Sequence, residues 1–173
     1  MGVKVYCDPD PQHPRMSKAP LPTPATPPIV EVPVDHFEVL KEDGVLRARL
    51  DGSIVVCLYD AVEESGGMVH LHIIPAGAGG REASDETLAA DLLLLDRCLK
   101  TLQSTAPASR NWQARIMTHY GAEGLLQPIG DGVLNSVTHG CEDRGVKVVQ
   151  SEAESGAAVT IGFRPAMGQL RRL

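Results

Sequence analysis

Aromatic side chains are scarce in this 173-residue chain, which holds six: Tyr6, Phe37, Tyr59, Trp112, Tyr120 and Phe163. Hydrophobic residues still make up 43%, so a full core is expected, built mostly from aliphatic side chains. Basic residues are outnumbered, 16 against 22 acidic for a formal charge of −6. That excludes a generic binder of nucleic acid or another polyanion. No apolar run approaches the ~20 residues of a membrane span, and no charged-then-apolar leader opens the chain, so no membrane insertion is expected. Cysteine is sparse and unpatterned: Cys7, Cys57, Cys98 and Cys141 share no C-x-x-C spacing. They read as free thiols in a reducing cytoplasm, with a disulfide pair in an exported protein as the alternative.

What is present is unevenly distributed. Nine of the 13 prolines fall within the first 33 residues. Proline fixes φ and removes a donor, so residues from about 7 to 33 read as an extended polyproline-like arm, either a linker or a docking segment. Residues 1–33 are therefore set apart as the arm and 34–173 as the folded domain.

Beyond the arm, short strands alternate with turns. Asp43-Gly44 is a turn signal between Val32 to Leu40 and Val45 to Leu50, which predicts a hairpin. Ser53 to Tyr59 is almost continuously apolar and rich in β-branched residues, the mark of a strand buried on both faces. Met68 to Ile74 predicts a second central strand. Ser84 or Asp85 caps a helix that carries Leu88, Leu92, Leu95, Leu99 and Leu102 on one stripe. Trp112 to His119 reads as a strand and Gly130 to Arg144 as a second helix. Strands return at Val146 to Val149 and Ala158 to Phe163, and Met167-Gly168 turns into a last one. The fold class is α+β.

Three constellations could carry chemistry. Gly77 to Gly80 ahead of a helix invites phosphate, but the Gly-Lys-Ser/Thr ending of a P-loop is missing and Glu82, Asp85 and Glu86 repel anions. It reads as a loop, and no cofactor is expected. His70-x-His72 puts two imidazoles on one strand face without a supporting third ligand, so no metal is expected. A histidine beside a serine or cysteine can serve as general base for a nucleophile. On a strand, Ser53, Val55 and Cys57 share one face while Ile54, Val56 and Leu58 take the other.

The run from Leu50 to Asp60, followed by Gly66-Gly67-Met68-Val69-His70 and Ile74-Pro75, resembles the CheD family of bacterial chemoreceptor glutamine deamidases. That family has a Leu-Gly-Ser-Cys strand with a Cys-apolar-Tyr-Asp-like tail, then Gly-Gly-Met/Leu-x-His and an apolar-Pro end. Tyr120-Gly121-Ala122 and Ile129-Gly130 with Asn135 follow in the family's order, and the resemblance spans residues 30 to 173. It implies a sandwich of mixed β-sheets with helices packed outside. It also implies a mechanism in which a cysteine thiolate attacks a glutamine carboxamide, histidine acts as base and then acid, ammonia leaves, and water releases glutamate.

His70 matches the family histidine. The nucleophile is replaced: a gapless alignment puts Ser53 at the cysteine position, and holding Gly52-Ser53 in register with the family's Gly-Ser puts Ile54 there. Cys57 matches a second, non-catalytic family cysteine. It stands four residues from Ser53, about 13 Å along a strand. The family's supporting threonine falls on Arg47, its Gly-Gly-Ala has become Tyr120-Gly121-Ala122, and its C-terminal Gly-Arg pair is replaced by Gly156-Ala157-Ala158. The resulting expectation is a CheD-like chemotaxis protein in the cytoplasm with a degenerate deamidase site. It would bind the cytoplasmic region of a chemoreceptor or a chemotaxis phosphatase-like protein. The alternative is an active amidohydrolase using Ser53, or Cys57, with His70.

Overall fold

A computed structural model describes residues 26–73 and 85–173, together with Gly2. Of the proline-rich arm, 3–25 thus lies outside the described residues, as do Cys7, the Gly77 to Gly80 loop, Ser84 and the Ile74-Pro75 end of the family motif. Among the described residues the chain runs β1 (Ile29–Glu31), β2 (His36–Leu40), β3 (Val45–Leu50), β4 (Ser53–Asp60), β5 (Ser65–His72), α1 (Asp85–Thr105), β6 (Gln113–His119), α2 (Gln127–Asp143), β7 (Lys147–Glu154), β8 (Val159–Arg164) and β9 (Gln169–Arg172).

The strands form two mixed sheets, one in the order β1-β3-β8-β9 and the other β2-β5-β4-β6-β7. In the first only β1 and β3 are parallel, and in the second only β6 and β7. The five-stranded sheet is the middle layer. Ile54, Val56 and Leu58 of β4 face α1 and α2, where they meet Leu95, Leu99, Leu102, Val133 and Val137. Val55, Cys57 and Tyr59 face the four-stranded sheet, packing with Leu46, Leu50, Ile161 and Phe163. Every residue of β4 is buried, as its unbroken apolar run requires. The architecture is the expected α+β sandwich of mixed sheets, with both helices on the outer face of one sheet.

The leucine stripe of α1 turns inward as read from its spacing, with Leu95, Leu99 and Leu102 buried and Leu88 and Leu92 packed at the margin. Gly66 and Gly67 open β5 for steric reasons. A Cβ on Gly66 would stand 2.2 Å from the Leu58 carbonyl oxygen, and one on Gly67 2.8 Å from that of Glu38 and 3.2 Å from the Cys98 sulfur of α1. The strand neighbours and α1 close in on a surface without side chains.

One expected element is different. Val32 to Leu40 and Val45 to Leu50 do not form a hairpin: β2 pairs antiparallel with β5, whereas β3 pairs with β1 and β8. The Asp43-Gly44 turn carries the chain from one sheet to the other. A turn signal marks a reversal of direction and is silent on whether the next strand bonds to the last. β1 lies within the stretch assigned to the arm. It is an edge strand, the one strand position where proline on either side is tolerated, and Val32 after it is 2% exposed.

Phe163 is fully buried between the sheets, edge-on to Tyr59 at 6.1 Å between ring centroids. Phe163→Ala should cost about 3–5 kcal/mol in urea denaturation. Val149→Ala, at a side chain 39% exposed on β7, should change stability by no more than about 0.5 kcal/mol.

Candidate functional site

Ser53 is the first residue of β4, reached after Asp51 and Gly52 carry the chain from the four-stranded to the five-stranded sheet. Gly52 makes that crossing with φ +67, a left-handed conformation that glycine adopts without steric cost. The β4–β5 register sets Val55 opposite His70 and Ser53 opposite His72. Residues opposite one another project to the same face, so His70 is a diagonal neighbour of Ser53 on the face turned to the other sheet. Ile54 projects to the helix side. Of the two candidates for the nucleophile position, only Ser53 shares a face with His70.

Ser53 Oγ and His70 Nε2 are 3.0 Å apart, and His70 Nδ1 is 2.9 Å from the carbonyl oxygen of Val32. A carbonyl only accepts, so Nδ1 carries the proton, Nε2 presents a lone pair, and the Ser53 hydroxyl donates to it. This is the tautomer that a general base requires. Burial pushes the His70 pKa below its ordinary value, with His72 adding to the effect and the Val32 carbonyl and Asp35 opposing it. The imidazole is therefore neutral at pH 7. Ser53 and His70 are each 1% exposed.

Several residues that hold this pair were not singled out from the sequence. His119, opposite Ser53 on β6, accepts at Nδ1 from the Gly121 amide at 3.1 Å and the Gly52 amide at 3.5 Å, and donates from Nε2 to the Ala157 carbonyl at 3.1 Å. Both of its nitrogens are committed, and it braces the turn before Ser53. Val32 is held by its amide, which donates to the Arg47 carbonyl at 2.8 Å. Arg47 turns its guanidinium away from the pair to Glu31. Arg47 thus bears on His70 through main chain alone.

His72, second of the histidine pair, bonds through Nδ1 to Asp35 Oδ2 at 2.8 Å, and its amide donates to Asp35 Oδ1 at 3.3 Å. Asp91 of α1 is 8% exposed with Oδ2 unpartnered, and its pKa is pushed up to about 7, by burial first and by Asp35 second. Among the described residues no three potential ligands converge on a metal position.

Cys57 is fully buried, opposite Met68 on β5 and Arg115 on β6. It is the other diagonal neighbour of Val55's partner His70, yet the imidazole bonds to Ser53. Burial pushes the Cys57 thiol far up, outweighing the Arg115 charge, which leaves it an inert core thiol. Cys98 and Cys141 are likewise unpaired and buried, each pushed up to about 12. Among the described residues no helix is long and apolar enough to cross a membrane.

The depressed His70 pKa has a consequence for folding. Below the free value of 6.5 the unfolded chain takes up the proton more readily than the folded one. The contribution of His70 is therefore complete above that pH and is lost as pH falls through it towards the folded pKa. His70→Gln should flatten the fall in urea midpoint between about pH 7.5 and 5.5 relative to wild type; identical slopes would show that the imidazole is not held neutral.

No family model matches the chain. It is 27% identical over 148 residues, 82% of its length and 91% of the relative's, to the probable chemoreceptor glutamine deamidase CheD of Syntrophomonas wolfei. To the proteins of the same description from two strains of Desulfitobacterium hafniense it is 26% identical over 147 residues, 83% of this chain and 91% of each relative. Near-complete coverage, together with the mixed-sheet sandwich and the Gly-Gly-Met-Val-His strand, makes this chain distantly similar to the CheD proteins along most of its length.

Proposed function

We propose that this chain is a CheD-type protein of chemotaxis signalling in which Ser53 stands at the deamidase nucleophile position and the deamidase activity is lost. It works chiefly by binding, its partner being a chemoreceptor cytoplasmic region or a chemotaxis phosphatase-like protein. The observation that carries the reading is the Ser53–His70 hydrogen bond of 3.0 Å between two side chains that are each 1% exposed. A cysteine there would yield a thiolate to a neighbouring imidazole near neutral pH, whereas a hydroxyl stays protonated and needs concerted removal of its proton and donors for the oxyanion. Three cavities lined by described residues lie away from this pair.

A second reading has one observation in its favour. The tautomer of His70 is the one that would deprotonate Ser53 during attack on a carboxamide, so an amidohydrolase with Ser53 as nucleophile and His70 as base and then acid is its chemistry. Cys57, buried and bonded to neither, is no part of it.

Ammonia release from chemoreceptor cytoplasmic fragments separates the two. The expected outcome is no release above background from wild type and at least tenfold more from Ser53→Cys, abolished again when His70→Ala is added. Wild-type release that disappears in His70→Ala would establish the hydrolase instead. Calorimetry of wild type with the same fragments should show binding in either case.

A further inference from the structure

The far end of β4 carries a second site. Asp60 closes the strand seven residues beyond Ser53, roughly 23 Å away at ~3.3 Å per residue. Two cavities of about 340 and 480 Å³ adjoin there and share Arg110, Trp112 and Gly145 in their walls. Either volume falls within the range of small-molecule sites.

The polar groups around them are unevenly committed. Arg110 Nη1 donates to the carbonyls of Pro107 at 2.6 Å and Ser109 at 2.7 Å, which fixes the plane of the guanidinium. Its Nε and Nη2 have no partner among the described residues, and neither has the Lys147 ammonium. Arg144, in the wall of the second cavity, is committed to Asp96 at 2.5 and 3.0 Å. Asp60 is the one carboxylate among the lining residues. It accepts from the Ser109 hydroxyl and from the amides of Val62, Asn111 and Glu63, at 2.9, 3.3 and 3.4 Å for the amides. Burial pushes its pKa up, but these donors more than offset that and hold it below the ordinary carboxylate range. Two cations with no carboxylate partner among the described residues thus face a cavity whose one lining carboxylate already accepts from several donors, in a chain of net charge −6. Trp112, 7% exposed, supplies a flat apolar wall to both cavities.

We propose that this end of the protein binds a small organic anion, a carboxylate or phosphate on a flat or apolar body. The anion lies between Arg110 and Lys147, where the fixed guanidinium fork suits either oxyanion, and the body rests against Trp112. The site is independent of the Ser53–His70 pair and of the reading given to it.

Trp112 is the single tryptophan of the chain, so it reports its own occupancy. Phenyl phosphate, benzoate and inorganic phosphate serve as probes that separate the two oxyanions from the contribution of the ring, with benzyl alcohol as the uncharged control. The expected result is a saturable change in Trp112 fluorescence, matched by heat in calorimetry, with phenyl phosphate or benzoate. Inorganic phosphate should bind more weakly and benzyl alcohol not at all. Lys147→Glu, at an exposed side chain, should raise the Kd at least tenfold with the melting temperature unchanged, and Arg110→Glu should also raise the Kd at least tenfold. Neither fluorescence change nor heat with any of the anions would overturn the proposal, as would binding that is indifferent to Lys147→Glu or equally strong for benzyl alcohol.

Discussion

The antiparallel register of β4 on β5, with Val55 opposite His70, is the constraint on which the rest of the site depends. A slip of one residue would turn every side chain of one strand to the other face. Ile54 would then look at His70 and Ser53 at the helices. The slip is forbidden because β4 has two full cores to fill, with Ile54, Val56 and Leu58 in one and Val55, Cys57 and Tyr59 in the other. Gly66 and Gly67 pin it further, since side chains of other β5 residues brought to those positions would strike the Leu58 and Glu38 carbonyls. Packing far from Ser53 therefore fixes which residue faces the imidazole.

The same middle-layer position determines the electrostatics. A histidine inside two packed layers loses its hydration, so the neutral form is favoured, and each ring nitrogen then has to find a partner. His70 finds the Val32 carbonyl and the Ser53 hydroxyl; His119 finds two amides and the Ala157 carbonyl. Asp91, like Thr118 and Glu154, is incompletely matched, and its raised pKa keeps its carboxyl from being fully charged near neutral pH.

What the sequence discloses and what it hides follow from the range of each interaction. The unbroken apolar run of β4 and the leucine stripe of α1 are local patterns, and both elements stand where they were expected. The family motif around His70 is local too. By contrast, the crossing from β2 to β3 was read as a hairpin because turn chemistry is local while strand partnership is not. The choice between Ser53 and Ile54 could not be made without knowing which face meets β5. Val32 lies 38 residues from His70 and acts through a carbonyl that every residue possesses, so no side-chain pattern announces it. Arg110, Trp112 and Lys147 come from a loop, a strand margin and the start of another strand, and their convergence is a product of topology alone.

Burial and a serine hydroxyl beside His70 belong together. Thiolate chemistry beside a histidine runs through a thiolate and imidazolium pair, two charges whose formation low-dielectric surroundings resist unless donors and solvent attend them. The surroundings of His70 disfavour its charged form, and Arg47 sends its charge outward to Glu31 instead of towards the pair. A serine hydroxyl donating to a neutral imidazole needs no charge separation, and such a bond contributes about 0.5–1.5 kcal/mol to the fold. The pair as it stands is satisfied without any substrate, since both His70 nitrogens have partners. A working hydrolase would have to break that arrangement and present donors to the oxyanion. In the closed arrangement Ser53 and His70 serve the architecture, each buried and each bonded to the other.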